Sequence, residues 1–345
     1  MKKKILATVL ASALALSMVG CGTDAAAKKE AESSTAQTAE STEKDANQTY
    51  NVGVLQLVQH PALDTATEGF SDALKDKLGD QVEINVQNAS GDTATCATIA
   101  TSFVSDNVDL IMANATPAMQ ASATATNSIP IVATSITDYG TALGIKDWDG
   151  TTGINVTGTS DLAPLDGQAE MLNELFPDAK EVGIIYCSGE DNSLYQANQI
   201  TEYLEGYGYT VTAYTFSDSA DVATVVQSAC GASDVLYVPT DNVAASCAET
   251  INNVALTAGV PIIAGEEGIC KGCGLATLSI SYYDIGYSAG LMAYEILVNG
   301  KDPATYEIEY APEFTKEYNP VIAEELGITL PDDYKAIDME ENAEE

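Results

Sequence analysis

From Tyr50 onward, short continuous runs of Val, Ile and Leu alternate with longer stretches in which apolar residues recur every three or four positions. The runs Asn51–Leu57, Val82–Gln87, Asp109–Ala113 and Pro130–Thr134 predict strands buried on both faces, because a half-exposed strand would alternate polar with apolar residues. Between them the spacing predicts helices over 62–78, 92–105 and 117–126; Leu63, Phe70, Leu74 and Leu78 fall on one face of the first. Strand and helix in strict alternation give an α/β fold, a parallel sheet covered by helices.

The second half repeats this plan. Val182-Gly183-Ile184-Ile185 echoes Val52-Gly53-Val54-Leu55, Asp234–Val238 echoes Asp109–Ala113, and Val260–Ala264 echoes Ile129–Ala133. Three echoes in one order predict two similar doubly wound parallel-sheet lobes. A Gly/Thr/Ser-rich stretch, Thr151–Asp161, suits a crossover between them, and a later helix near Asp284–Leu297 and strand near Tyr306–Tyr310 let the chain cross back. The expected first lobe is 49–155 plus about 283–304. The second is 156–282 plus about 305–335, followed by an acidic tail over 336–345. In open parallel sheets ligands sit beyond the carboxyl ends of the strands, so two facing lobes make a cleft lined by strand-to-helix loops.

Before Tyr50 the pattern changes. Lys2, Lys3 and Lys4 precede an apolar stretch from Ile5 to about Leu16, a signal-peptide core too short to span a bilayer. Leu16-Ser17-Met18-Val19-Gly20-Cys21 resembles the bacterial lipoprotein cleavage box, which makes 1–20 the leader and Cys21 the lipidated residue; ordinary secretory cleavage would instead leave Cys21 a free thiol. Residues 22 to about 48 carry no large apolar side chain and read as a flexible linker spanning roughly 30 Å. The expected location is the extracytoplasmic face of the cell membrane, held by a lipid on Cys21.

Composition narrows the function. The 345 residues carry 14 lysines, no arginine, 51 acidic residues and a net charge of −37. Loss of the three leader lysines leaves 11 against 51, and 11 − 51 = −40. Such a body cannot neutralise a run of phosphates, which excludes nucleic acid as a partner. Without a guanidinium fork, an anionic ligand group must be held by hydroxyls, loop amides or helix N-termini. A single histidine, His60, leaves no His pair for a catalytic zinc and little choice of general base. The Gly-x-Ser-x-Gly match at Gly286–Gly290 falls inside the expected helix near 284–297 rather than at a strand-to-helix elbow, and no Gly-x-Gly-x-x-Gly turn is present. An exported enzyme on this scaffold therefore lacks its usual parts, and no cofactor or metal is expected. Cys270-Lys271-Gly272-Cys273 lacks two further zinc ligands and reads as a local disulfide or two structural thiols.

An ordered set of segments carries a family resemblance: Val54-Leu55-Gln56, His60–Asp64, Asn88–Asp92, Ala115–Ala118, Asn155–Asp161, Pro239–Asn242 and Tyr282–Gly286. The chain from about 50 to 331 resembles the substrate-binding lipoproteins of ABC importers of the tryptophan/tyrosine type. Asp138-Tyr139 and the two cysteines of the 268–274 loop depart from that pattern. The resemblance implies a type I periplasmic-binding-protein-like fold with three interlobe crossings. It also implies closure over an amino acid, often aromatic, and delivery to a membrane permease with its own ATPase. A ligand-binding co-receptor for sensing is the alternative.

An amino-acid zwitterion needs donors for its carboxylate and a carboxylate for its ammonium. Thr116, Ser135, Ser160 and Ser193 are the candidates for the first, and Asp161 and Asp241 for the second. Gln56, Asp64, Asp138, Glu190, Asn192, Asn242 and Glu266 complete the candidate lining from the same loops. Each of the hydroxyl candidates lies where Ser, Thr and Asp also cap helices, so capping competes with ligand contact for every one of them. His60 is a candidate to contact the ligand, but His60-Pro61 also opens the first helix and the structural role is preferred; Tyr186, Tyr282 and Tyr283 are candidates to stack on an aromatic ligand.

Overall fold

The computed structural model describes residues 48–339; the leader, Cys21, most of the linker and the end of the acidic tail lie outside the described residues. The first sheet is built from β1 (Tyr50–Gln56), α1 (Pro61–Leu78), β2 (Val82–Asn88), α2 (Thr93–Ser105), β3 (Leu110–Asn114), α3 (Thr116–Ala125), β4 (Ile131–Ile136), α4 (Tyr139–Leu143) and β5 (Val156–Ser160). Helix α5 (Leu165–Leu175) then leads into β6 (Glu181–Cys187), α6 (Asp191–Tyr207), β7 (Thr210–Phe216), α7 (Val222–Cys230), β8 (Val235–Val238), α8 (Asn242–Ser246), α9 (Ala248–Ala258), β9 (Ile262–Ala264), α10 (Glu267–Gly272) and β10 (Ala276–Ser279). The chain finishes with α11 (Tyr282–Asn299), β11 (Glu309–Tyr310), β12 (Thr315–Tyr318), α12 (Pro320–Leu326) and β13 (Lys335–Ala336).

Among the described residues the sheets run β11-β5-β4-β3-β1-β2 and β13-β12-β10-β9-β8-β6-β7. The stretch β10-β9-β8-β6-β7 repeats β5-β4-β3-β1-β2 with every strand number raised by five, so the duplication read from the three echoes is a duplication of topology. All ladders are parallel except β12 against β10. Alternate residues of each strand face opposite ways. In the first lobe Val52, Val54 and Met112 pack with Phe70 and Leu74 of α1 and Met292 of α11. Leu55 and Ile111 pack on the other face against Phe103 of α2 and Met119 of α3. The second lobe is likewise cored on both faces, by α5, α6 and α12 on one side and by α7 to α10 on the other.

Three boundaries differ from expectation. Residues 156–160 do not open the second lobe: Val156 and Thr157 pair with Ile131 and Val132, because Thr and Val are good strand formers even where Gly and Ser lower the hydropathy. β11 also joins the first sheet, pairing with Thr159 and Ser160, so 305–310 belong to the first lobe. The acidic tail begins later than 336, since Ala336 pairs with Tyr318 and Ile337 is buried in the second lobe. The described chain therefore crosses between lobes at 161–164, 280–281 and 311–314, three times as the resemblance implied.

Candidate functional site

The carboxyl ends of β1, β3 and β4 face those of β6, β8 and β9 across the interlobe space, and hydrogen bonds bridge it. His60 Nε2 lies 3.3 Å from Asn242 Oδ1, Gln196 Nε2 donates to Thr137 Oγ1 at 2.9 Å, and Gln120 Nε2 donates to Asp191 Oδ2 at 2.9 Å. Each pair joins a first-lobe residue to a second-lobe residue, so the lobes are drawn together. Ala62 and Ala66 of α1 add an apolar contact with Ile280, Tyr282 and Ile285 at the second crossing. A cavity of about 1010 Å³ opens between α1 and α10, with Asp64, Glu266, Ile280 and Tyr282 on its walls, while Thr116, Ser135, Asp161 and His60 do not line it and lie elsewhere along the interlobe space.

The first-lobe wall is strained where it meets this space. Ala115, just after β3, has φ 88°, and Ser135, inside an irregularity of β4, has φ 57°. Positive φ in a residue other than glycine costs about 1–3 kcal/mol and persists at sites that use it. Here it places the Thr116 and Ser135 hydroxyls where both are buried without a hydrogen-bond partner in the protein. Helix α3 begins at the same point with no side-chain cap, leaving its first-turn donors for an anion. These two hydroxyls fit a ligand carboxylate.

Ser160 and Ser193 are placed differently. Ser160 Oγ donates to Thr137 O and accepts from Leu162 N, fixing the first crossing. Ser193 Oγ accepts from Asn192 Nδ2 and donates to Asp241. Both are in the cleft wall, and both are engaged in building it.

The acidic candidates divide in the same way. Asp241 caps α8 through Ala244 N at 2.7 Å and accepts from Cys187 N at 2.6 Å, so its carboxylate braces two loops. Glu190 grips the same helix start through Asn242 N, Asn242 Nδ2 and Val243 N. Burial, followed by the Glu190 charge, pushes the Asp241 carboxyl up. Glu266 caps α10 through Gly268 N and Ile269 N, and burial raises it to about 7. Asp138 is half-buried and caps α4 through Thr141 N at 2.6 Å. Gln56 donates to Asp64 Oδ1 at 2.6 Å and accepts from Thr67, holding the β1 end to α1.

Asp161 stands apart. It is 4 % exposed, and the side chains that donate to it are two hydroxyls, Tyr282 at 3.1 Å and Thr137 at 3.3 Å. Burial raises it to about 6, with those hydrogen bonds pulling the other way. The lysine ion pairs of the described residues go to Glu174, Asp333 and Glu317. A buried carboxylate held by hydroxyls is suited to an incoming ammonium, which supplies the missing charge.

Sequence reasoning passed over Thr137, Gln196 and the bridging role of His60. Gln196 carried a signal: Asn192, Ser193 and Gln196 share the inward face of α6 with Ala197, Ile200 and Leu204, so its buried stripe turns polar where it reaches the cleft. Tyr282 is used through its hydroxyl, on Asp161. Cys270 and Cys273 are two buried free thiols, one on α10 and one just after it.

Comparison with known proteins places this arrangement. A family profile described as ABC transporter substrate binding protein matches residues 51–340. A tyrosine-binding protein of Clostridioides difficile is 40% identical over 299 residues, 86% of this chain and 84% of that one. Among solved structures, an ABC domain from Streptococcus pneumonia in complex with L-Trp is 33% identical with a TM-score of 0.80, covering 84% of this chain and 100% of that one. The ligand-free, open structure of a substrate-binding protein with adhesive properties from Clostridium difficile is 35% identical, with 84% and 99% covered, yet its TM-score is 0.64. At nearly equal identity the shape matches the liganded relative better than the open one, in agreement with the bridging hydrogen bonds. A duplicated two-lobed fold drawn together over a polar cleft, matched along almost its whole described length, makes this chain a member of the ABC transporter substrate-binding proteins, a family of binding proteins rather than enzymes.

Proposed function

We propose that the chain is a lipid-anchored receptor that captures an aromatic amino acid, tyrosine or tryptophan, between its lobes and delivers it to an ABC permease with its ATPase. The observation that carries the reading is the pairing of Asp161, a buried carboxylate held by hydroxyls, with the unpartnered hydroxyls of Thr116 and Ser135. One accepts an ammonium and the other two donate to a carboxylate, which is the polar pattern shared by all α-amino acids. The aromatic part of the reading is supported by the relatives, one named for tyrosine and one solved with L-Trp. Ligand contacts to both lobes favour the closed arrangement over the open one, and the permease reads the closed shape.

Calorimetry of residues 22–345 against an amino-acid panel tests the substrate. Burying an aromatic ring stabilises by about 2–3 kcal/mol, so tyrosine and tryptophan are expected to bind about 50-fold more tightly than alanine. No heat with any amino acid would overturn the reading. Anchoring rests on the lipobox ending at Cys21. A Cys21→Ser form is expected in the culture medium instead of the membrane fraction, and one that stays membrane-bound would remove the anchor from the proposal.

A further inference from the structure

The chain's one histidine sits in the interlobe space with an electronic asymmetry fixed by its neighbours. Asn242 donates its side-chain N–H to Glu190 Oε2 at 2.5 Å, which orients the amide with its oxygen toward His60. An amide oxygen only accepts, so His60 Nε2 carries the hydrogen and donates at 3.3 Å. In a neutral imidazole the other nitrogen is then an acceptor. That atom, Nδ1, is buried and has no hydrogen-bond partner in the protein. Burial also lowers the imidazole to about 4, the Asn242 bond pulling the other way, so the ring stays neutral at ordinary pH and keeps the lone pair.

Strand order places this acceptor relative to the rest of the site. Along the first sheet the cleft residues follow the sequence β5 (Asp161), β4 (Ser135), β3 (Thr116), β1 (His60). Adjacent strands lie about 4.8 Å apart, so the ends of β5 and β1 are separated by about 14 Å. With the ammonium at the β5 end and the carboxylate against β4 and β3, the ligand's side chain runs toward β1. The remaining distance is that of an aromatic side chain plus the reach of an imidazole.

We propose that His60 Nδ1 accepts a hydrogen bond from the side-chain donor of the bound amino acid, the tyrosine hydroxyl or the tryptophan indole N–H, and thereby sets the preference for these over phenylalanine. This rests on the aromatic amino-acid reading above. The Glu190–Asn242–His60 chain is then both a bridge between lobes and the device that selects the tautomer. A buried acceptor left unpaired by a ligand without a donor penalises that ligand, which is why such sites discriminate more strongly than apolar pockets do.

The test separates discrimination from lobe closure. Dissociation constants for L-tyrosine, L-tryptophan and L-phenylalanine are measured on the full mature chain and on its His60→Phe and Gln120→Ala forms. Gln120→Ala cuts the interlobe bond to Asp191 and leaves Asn242 on His60, so it is expected to weaken all three ligands alike and to keep the phenylalanine-to-tyrosine ratio of constants. His60→Phe is expected to reduce that ratio at least tenfold. Nitrogen NMR of the wild-type protein gives a second reading, simplified by there being one histidine to label. The Nδ1 resonance is expected to be that of an unprotonated nitrogen and to shift when tyrosine binds, with no matching shift for phenylalanine. If tyrosine and tryptophan bind but the ratio survives in His60→Phe, or Nδ1 proves protonated, this inference falls while the functional reading stands. If neither ligand binds wild type, the functional reading falls and takes the inference with it.

Discussion

Replacing Asp161 with Asn is expected to weaken binding of L-tyrosine or L-tryptophan about 100-fold, the loss of roughly 3 kcal/mol typical of removing one member of a buried charge pair. The substitution keeps side-chain volume and leaves an acceptor for Tyr282 or Thr137, so the wall stays built while its charge is gone. Calorimetry on the two proteins at one pH checks it, and unchanged affinity would move the ammonium elsewhere in the cleft. The same group gives a pH dependence. Burial lifts Asp161 from 3.8 to about 6, so the native state holds this proton more tightly than the unfolded chain. In the ligand-free protein this disfavours folding progressively as pH rises from about 4 to 6, and the full cost is present above that. An ammonium ligand needs the ionised form. Affinity is therefore expected to level off above about pH 6 and to fall by up to tenfold per unit below it. The pH slope should vanish in the Asp161→Asn form.

Gly286→Ala is expected to destabilise the first lobe by about 2–4 kcal/mol. A β-carbon on Gly286 would overlap the carbonyl oxygen of Ala66, and one on Gly69 would overlap that of Tyr283. These glycines let α1 and α11 approach backbone to backbone, and alanine forces them apart. Better helix propensity returns only about 1 kcal/mol against an overpacking cost of about 3 or more. For a domain of this size the melting temperature should drop by about 5–10 °C, measured by calorimetry or circular dichroism. Ligand affinity should fall as well, because α11 starts immediately after the second crossing and Tyr282, in its first turn, holds Asp161. An unchanged melting temperature would mean the helices separate freely.

The fold was legible because a parallel sheet covered on both faces writes itself as uninterrupted Val/Ile/Leu runs. Doubling that sheet wrote the runs twice, in one order. What escaped were the margins. The strand expected near Tyr306–Tyr310 is β11, but its two residues carry no signal of which sheet they join; β13 is as short, and β5 is Val-Thr-Gly-Thr-Ser, a composition shared with loops. In the site, the residue types were readable and their division of labour was not. Thr116, Ser135, Ser160 and Ser193 look alike in sequence. Only the fold reveals that Ser160 and Ser193 bond to the protein and that Thr116 and Ser135 are left unpartnered. Asp161 and Asp241 were equally plausible partners for an ammonium until one proved to cap a helix. His60 opens α1, with Pro61 at the first helical position, and that local role outweighs ligand contact in a reading of the sequence alone. Its second role depends on Asn242, 182 residues away, and no local pattern records that.

The three passages of chain between the lobes, at 161–164, 280–281 and 311–314, also govern how weak each half of the site can be. Neither wall alone surrounds an amino acid, and two separate proteins carrying one wall each would meet only by diffusion. Joined by short links, the walls face each other at an effective concentration set by the links, independent of how dilute the receptor is. Each wall can then hold its part of the ligand loosely, so capture is firm when the lobes are together and release is easy when something draws them apart.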